Sequence, residues 1–312
     1  MKKSSASLRL TPKRSQRQKT ILIPVDFSPA SGEPIRWAKF IARKNGARIQ
    51  FVHVYDSGHP LTATLMQETA GSATLERHLR RRLEALATRS NPPNGKPVCH
   101  IRNGRSFIEV CKLAEQIGAD LIAISTHGRT SWDRALLGST AERILRHAPC
   151  PVLIVRLVRG KKRTAPRLKR ILVPVDFSEC SFRGAQYAAR LAGAFDARLT
   201  FVHVVSPEHY PTPVVVYTDK ELSQFAAGVA EVHMKSLLAK LRTPTLQVSS
   251  AIKIGAPART ICRYARQVKA DAIVVSTHGR TGLRHVVIGS VAELIARYAN
   301  VPVLVYPTRK RR

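Results

Sequence analysis

The chain has 312 residues, of which 44% are hydrophobic, and its 52 Lys and Arg against 20 Asp and Glu give a formal net charge of +32. That content of apolar residues suits a globular fold, and no apolar run approaches the roughly 18 residues that a membrane-spanning helix requires. The first 19 residues carry seven basic and no acidic side chains, residues 156–170 carry eight, and residues 309–312 carry four. Rich also in Ser, Thr, Pro and Gln, these stretches read as solvated tails and a linker.

Elements follow in chain order. Thr20 to Val25 is a short β-branched run ending at Asp26. Ala30 to Lys44 has helical spacing of Ile35, Ala38, Ile41 and Ala42, and Gly46 ends it. Arg48 to Tyr55 is the second strand, and a less ordered stretch leads to a charged amphipathic helix over Glu68 to Arg89. Val98 to Arg102 is the third strand and Phe107 to Ile117 a helix closed by Gly118. Leu121 to Ser125 is a continuous apolar strand, Ser139 to His147 a helix, and Pro151 to Val155 the last strand of the unit.

The unit then repeats. Ile21-Leu22-Ile23-Pro24-Val25-Asp26-Phe27-Ser28 returns as Ile171-Leu172-Val173-Pro174-Val175-Asp176-Phe177-Ser178, 150 positions on. Phe51-Val52-His53-Val54 returns as Phe201-Val202-His203-Val204, Ser125-Thr126-His127-Gly128-Arg129-Thr130 as Ser276-Thr277-His278-Gly279-Arg280-Thr281, and Gly138-Ser139 as Gly289-Ser290. Strands are expected at Arg170 to Val175, Arg198 to Val205, Leu246 to Ile254, Ala272 to Ser276 and Pro302 to Tyr306. The period is far too long for a solenoid, so each copy is a domain with its own core. The reading is a basic tail over 1–18, domains over 19–156 and 169–307, a basic linker over 157–168 and a basic tail over 308–312. Apolar strands alternating with helices predict a parallel sheet covered on both faces, a doubly wound α/β fold.

In such sheets ligands bind at the carboxyl ends of the strands. The duplicated motifs lie there: Asp26 and Asp176 close first strands, Val54 and Val204 lie near the ends of second strands, and the loops from Ser125 and Ser276 leave fourth strands. Each loop reads Ser-x-x-Gly-x9-Gly-Ser, and its final Gly-Ser opens a helix. Glycine admits an anion close to the backbone, and a helix N-terminus offers unsatisfied N–H groups and positive dipole. This is a phosphate cradle, distinct from a Walker A loop or a Rossmann fingerprint. The competing reading takes Ser139 and Ser290 as helix N-caps only and the glycines as turn residues only.

Cys99, Cys111, Cys150, Cys180 and Cys262 form an odd set with no close pair, no match between copies and no zinc-ligand spacing. They read as reduced, mostly buried thiols, with no metal site implied. The N-terminus lacks the apolar segment of a secretory signal, so a cytoplasmic location is expected.

Taken together, Pro-Val-Asp-Phe-Ser, Val-His-Val and Ser-Thr-His-Gly-Arg-Thr followed by Gly-Ser-x-Ala-Glu resemble the universal stress protein (UspA) superfamily, as a tandem of two copies. The resemblance implies five strands per copy in the order 3-2-1-4-5, pairing through the last strand either within the chain or in a homodimer, and a site for adenine nucleotide. Its nucleotide-binding branch carries Gly-x-x-Gly-x9-Gly-Ser/Thr, matched here at Gly128, Gly138 and Ser139 and at Gly279, Gly289 and Ser290. Ser125 and Ser276 replace the first glycine of that pattern, and a serine hydroxyl can itself bond phosphate or ribose. By this resemblance Asp26 and Asp176 approach the nucleoside, Val54 and Val204 hold adenine through backbone groups, and the glycine loops hold the phosphates. Pro24, Val25, Arg129 and Thr140 in the first copy, and Pro174, Val175, Arg280 and Val291 in the second, complete the implied site. ATP, with or without Mg2+, is the implied ligand, with AMP and ADP as alternatives.

His127 and His278 sit beside the phosphate loop, but no carboxylate, lysine or metal cluster completes a phosphoryl-transfer site, so slow turnover or none is expected. His53 and His203 read as satisfied strand histidines. Ser131-Trp132 stands where the second copy has Gly282-Leu283, so unequal affinities are expected. The reading is a nucleotide-binding stress regulator. Two alternatives stay open: an interaction module acting through domain pairing, and nonspecific nucleic-acid binding through the basic tails.

Overall fold

The computed structural model describes residues 18–58, 72–126, 137–156, 165–206, 219–241, 245–277 and 289–307. The first repeat runs β1 (Thr20–Pro24), α1 (Gly32–Asn45), β2 (Arg48–Tyr55), α2 (Ser72–Ser90), β3 (Val98–Asn103), α3 (Ser106–Gln116), β4 (Leu121–Ser125), α4 (Ser139–His147) and β5 (Val152–Val155). The second runs β6 (Arg170–Pro174), α5 (Glu179–Phe195), β7 (Arg198–Val205), α6 (Asp219–Leu241), β8 (Val248–Ile254), α7 (Pro257–Gln267), β9 (Ala272–Ser276), α8 (Ser290–Tyr298) and β10 (Val303–Tyr306).

Each repeat is parallel in the order 3-2-1-4-5, as expected, and the two sheets join edge to edge into ten strands ordered β3-β2-β1-β4-β5-β10-β9-β6-β7-β8. The joint is antiparallel, with Val303 opposite Ile154, Leu304 opposite Leu153 and Val305 opposite Val152. Leu153 and Leu304 are equivalent residues of the two repeats, so a local two-fold axis passes beside their pair. A self-complementary interface of this kind is what a dimer of single domains forms, here built within one chain. Around the axis Arg146 bridges to Glu293 at 3.6 Å, while Arg297 holds Glu293 at 2.8 Å.

Alternation along the strands separates two core layers. Ile21, Ile23 and Phe51 face one layer with Ala38 of α1 and Leu83 of α2, while Leu22, Val52 and Ile122 face the other with Leu113 of α3 and Ile144 of α4. Helix α1 begins later than its periodicity predicts, after a 3-10 turn over Pro29–Ser31, because the Ser31 hydroxyl bonds to Asp26 and makes no helix cap. Gly46, at φ 70°, ends α1 in the left-handed conformation that glycine adopts without strain, whereas α5 ends on Asp196 at φ 50°.

The cysteine reading needs two corrections. Cys111 and Cys262 occupy equivalent positions in α3 and α7, a match hidden by the shift of the repeat offset from 150 to 151. Only Cys150 is buried; the other four are half-buried. Burial still pushes the Cys99 thiol up to about 11 and the Cys111 thiol up to about 12, so both remain protonated and weakly nucleophilic.

His100 in β3 bonds through Nε2 to Gln50 Oε1 at 2.7 Å. Burial first, then the charges of Arg102 and Arg80, hold its pKa below the ordinary 6.5. The folded state therefore favours the neutral ring, and the stability it contributes is present above about 6.5 and lost as pH falls through that value toward the lower folded pKa. Urea titrations at pH 7.5 and 5.5 are expected to show a smaller loss of stability on acidification for His100→Gln than for the wild type. An equal loss in both would assign the acid sensitivity elsewhere.

Candidate functional site

Register brings the duplicated motifs to one level at the carboxyl edge of each repeat. Pro24 pairs with Val52 and Leu22 with Ile122, so Asp26 leaves β1 at the height of Val54 on β2 and of Thr126 at the end of β4. In the second repeat Pro174 pairs with Val202 and Leu172 with Ile273, bringing Asp176 level with Val204 and Thr277. Strand β1 ends at Pro24 and β6 at Pro174, one residue earlier than predicted, with Val25 and Val175 making the last ladder contacts to Val52 O and Val202 O at 2.8 and 2.9 Å.

Beyond that point the chain is held in a fixed turn. Asp26 Oδ1 accepts from the Ser28 N–H at 2.9 Å and from the Ser31 hydroxyl at 2.8 Å. Asp176 Oδ1 accepts from the Ser178 N–H at 3.0 Å and from the Ser178 hydroxyl at 2.7 Å. The backbone donors Ser28 and Ser178 are equivalent, and the two aspartates differ in the hydroxyl they hold, that of Ser31 in the first repeat and that of Ser178 in the second.

Phe27 and Phe177 lie in left-handed backbone, at φ 59° and 65°. Bulky residues adopt that conformation at a cost of roughly 1–3 kcal/mol, and such strain concentrates at functional sites. The compensating contacts are visible. Each phenylalanine ring sits 4.5 Å from a histidine ring, Phe27 on His53 and Phe177 on His203. Each histidine Nδ1 lies 2.7 Å from a backbone carbonyl, His53 from Val25 O and His203 from Val175 O. The strand histidines are thus buried braces for the turn, and the Arg82 guanidinium lies over the Phe27 ring at 4.4 Å. Sequence reasoning placed the histidines correctly but missed the strained phenylalanines, for which the repeated Asp-Phe-Ser was the available signal.

The departure of β1 opens a gap beside β2. In a parallel ladder alternate residues turn their N–H and C=O toward the same neighbour. Val52 bonds toward β1, so Val54 presents its backbone groups to the same side, where β1 has already turned away. Val204 is in the same relation to β6. Val54 and Val204 are half-buried. The Tyr55 phenol, next along β2, is raised by burial and by Glu76, so it stays neutral.

On the other side of β1, the loop after β4 returns to its own start. Gly138 donates its N–H to Thr126 O at 2.8 Å, and Gly289 donates to Thr277 O at 2.6 Å. Thr126 and Thr277 in turn donate to Val155 O and Tyr306 O, tying each loop to the strand beside the seam. Ser125 is half-buried and Ser276 buried at the strand ends. Gly138 and Gly289 are the cap residues of α4 and α8, and among the described residues no side chain caps either helix. The serines read as alternative caps, Ser139 and Ser290, are instead the first helical residues. Ser139, Thr140 and Ser290 are exposed and Val291 half-exposed. The N–H groups of these first turns therefore face the carboxyl edge with the positive end of the helix dipole.

Gly128, Arg129, Gly279 and Arg280 lie outside the described residues, as do His127, His278 and the Ser131-Trp132 and Gly282-Leu283 pairs. Among the described residues there is no group of three or more His, Cys, Asp or Glu able to hold a metal ion, and no helix long and apolar enough to cross a membrane.

The comparisons with known proteins agree with this architecture. The model of the Universal stress protein family matches twice, over residues 18–156 and 167–307. Universal stress protein Rv2623 of Mycobacterium tuberculosis is 25% identical over 300 residues, covering 91% of this chain and 95% of its own. Universal stress protein G of Escherichia coli O157:H7 is 34% identical over 144 residues, covering 44% of this chain and 99% of its own, which is one repeat. The crystal structure of a universal stress protein from Archaeoglobus fulgidus superposes with a TM-score of 0.65 at 20% identity, covering 94% of this chain and 98% of that one. With its family pattern matched in both halves and its two sheets paired through their last strands, the chain belongs to the universal stress protein family.

Proposed function

We propose that each repeat binds adenine nucleotide, ATP foremost, at the carboxyl edge of its strands, and that the protein acts in the cytoplasm as a nucleotide-responsive regulator of a stress response. The observation that carries this reading is the twice-built juxtaposition of a braced aspartate, a strand-edge valine beside a gap and a helix N-terminus that no described side chain caps.

The chemistry of the donor set fits an adenine nucleotide. The Val54 and Val204 backbones offer one acceptor and one donor side by side, which suits the amino group and ring nitrogen of adenine. Both bonds to Asp26 fall on Oδ1, so Oδ2 is the oxygen suited to accept from a ribose hydroxyl. The first turns of α4 and α8, with Gly138 and Gly289 at their caps, supply N–H groups for phosphate without requiring a cationic side chain. Gly128, Arg129, Gly279 and Arg280 add to the phosphate end under this proposal, and bound ATP supplies the charge and shape that distinguish the loaded protein. The different serine hydroxyls on Asp26 and Asp176 favour unequal affinities.

Calorimetric titration of the nucleotide-stripped protein with ATP, with and without Mg2+, tests this. Saturable binding at up to two sites per chain, accompanied by thermal stabilisation, is the expected result. An absence of both heat and stabilisation would move the reading to an interaction module whose function lies in the paired sheets.

A further inference from the structure

The two sides of the seam are not alike. On one side α1 carries Trp37 and Phe40, whose rings meet edge to face at 5.8 Å, and Phe40 continues onto Phe195 of α5 at 5.3 Å. At the equivalent positions α5 carries Tyr187 and Arg190, and there the seam contains a cavity of about 540 Å³. Cys150 and Tyr306 line this cavity where the opposite side has Val301 and Val155. Where α1 presents aromatic rings at these positions, α5 presents Tyr187 and Arg190 to the cavity, and Phe195 lies at the boundary, meeting Phe40 and also lining the cavity.

The volume falls within the roughly 300–1,000 Å³ of small-molecule sites. The inner wall is aliphatic, formed by Ile41, Leu121, Leu191 and Leu304. Tyr187 and Tyr306 stand together with ring centroids 5.2 Å apart and planes tilted by 39°, an aromatic corner against which a ring can pack, and Arg190 lies 6.0 Å from the Tyr187 ring. Burial raises the Tyr187 phenol, so it remains a hydroxyl donor at neutral pH.

The charges favour an anion. Lys19 and Arg190 lie at the cavity without an acidic partner among the bonds the structure shows them making, and Arg183 is paired with Glu179 at 3.1 Å. The acid of the lining, Asp120, accepts from the Thr20 N–H at 2.9 Å, and its one carboxylate charge stands against the cations of Lys19, Arg183 and Arg190. The cavity also lies away from the proposed nucleotide site of the first repeat, because Lys19, Asp120 and Pro151 precede strands where Asp26 and Ser125 follow them.

We infer that this seam cavity binds a small amphipathic organic anion: a flat aromatic or alicyclic body between Tyr187, Tyr306 and the aliphatic wall, with its acid group toward Arg190 and Lys19. The ligand is a different class from the adenine nucleotide proposed above, and the cavity shares no lining residue with either proposed nucleotide site, although Tyr306 pairs with Ser276 of the second.

The probe is 1-anilinonaphthalene-8-sulfonate, an aromatic sulfonate whose emission rises on leaving water, titrated into the full-length protein beside the neutral N-phenyl-1-naphthylamine. The expected result is one saturable site per chain, retained in the Gly138→Asp plus Gly289→Asp protein. Arg190→Gln, at an exposed position that leaves the fold intact, is expected to weaken the sulfonate about fivefold and leave the neutral probe unchanged. Ala194→Trp, which sets an indole into the lining from an exposed turn of α5, is expected to remove both signals. Unchanged binding in Arg190→Gln and Ala194→Trp, or loss of binding only in the glycine variants, would overturn the inference. Should Ala194→Trp fail to fold by circular dichroism, the contrast between the two probes in Arg190→Gln decides alone.

Discussion

Gly138→Asp combined with Gly289→Asp is expected to abolish ATP binding while leaving the protein at least as stable as the wild type. Both glycines have ordinary backbone angles, φ −58° with ψ 141° and 135°, so an L residue meets no conformational penalty there. Both are helix cap positions, where aspartate is among the preferred residues and its side chain accepts from the first-turn N–H groups. The same substitution takes the donors that phosphate needs and adds a negative charge in its place. Two unit charges about 4 Å apart near a protein surface repel by roughly 4 kcal/mol, which corresponds to a loss of around a thousandfold in affinity. Calorimetry with ATP, run beside a thermal melt, reads both quantities. Retained affinity in a folded double variant would remove the helix termini from the proposed site.

Leu153→Asp combined with Leu304→Asp is expected to open the seam. The two leucines are 2% and 3% exposed and face each other across the local axis. Removing either side chain from the core costs about 2–5 kcal/mol, and two unpaired carboxylates in apolar surroundings add to that. Near the axis each aspartate finds another carboxylate opposite it. The core layers run through the seam, so the wild type is expected to unfold in urea as one unit and the variant in two separated steps. A single transition shifted to lower urea would show that the repeats stay coupled through α1 and α5, where Phe40 meets Phe195.

The candidate site divides along the same line as these two experiments. Asp26, Val54, Ser125 and Gly138 were legible because each repeats at an offset of 150 or 151 and each falls at the end of a run with strand or helix periodicity. What holds them was not. The bond from His53 to Val25 O, the left-handed Phe27 and the serine chosen by each aspartate depend on how a turn closes against a neighbouring strand. Neither hydropathy nor spacing encodes that choice: the second copy has the same Asp-Phe-Ser and uses the Ser178 hydroxyl where the first uses that of Ser31.

The sequence by itself determined the doubling, the alternation of strands and helices, and the order in which motifs reach the carboxyl edge, because periods of 2 and 3.6 residues and a repeat offset are local properties of the chain. Tertiary structure alone decided that β5 pairs with β10 within the chain, since an apolar edge strand reads the same whichever edge it meets. It also decided where along the seam a cavity lies. Trp37 and Tyr187 are both ordinary aromatic members of a helix face, and only the packing of α1 and α5 against the joined sheet reveals where 540 Å³ was left open.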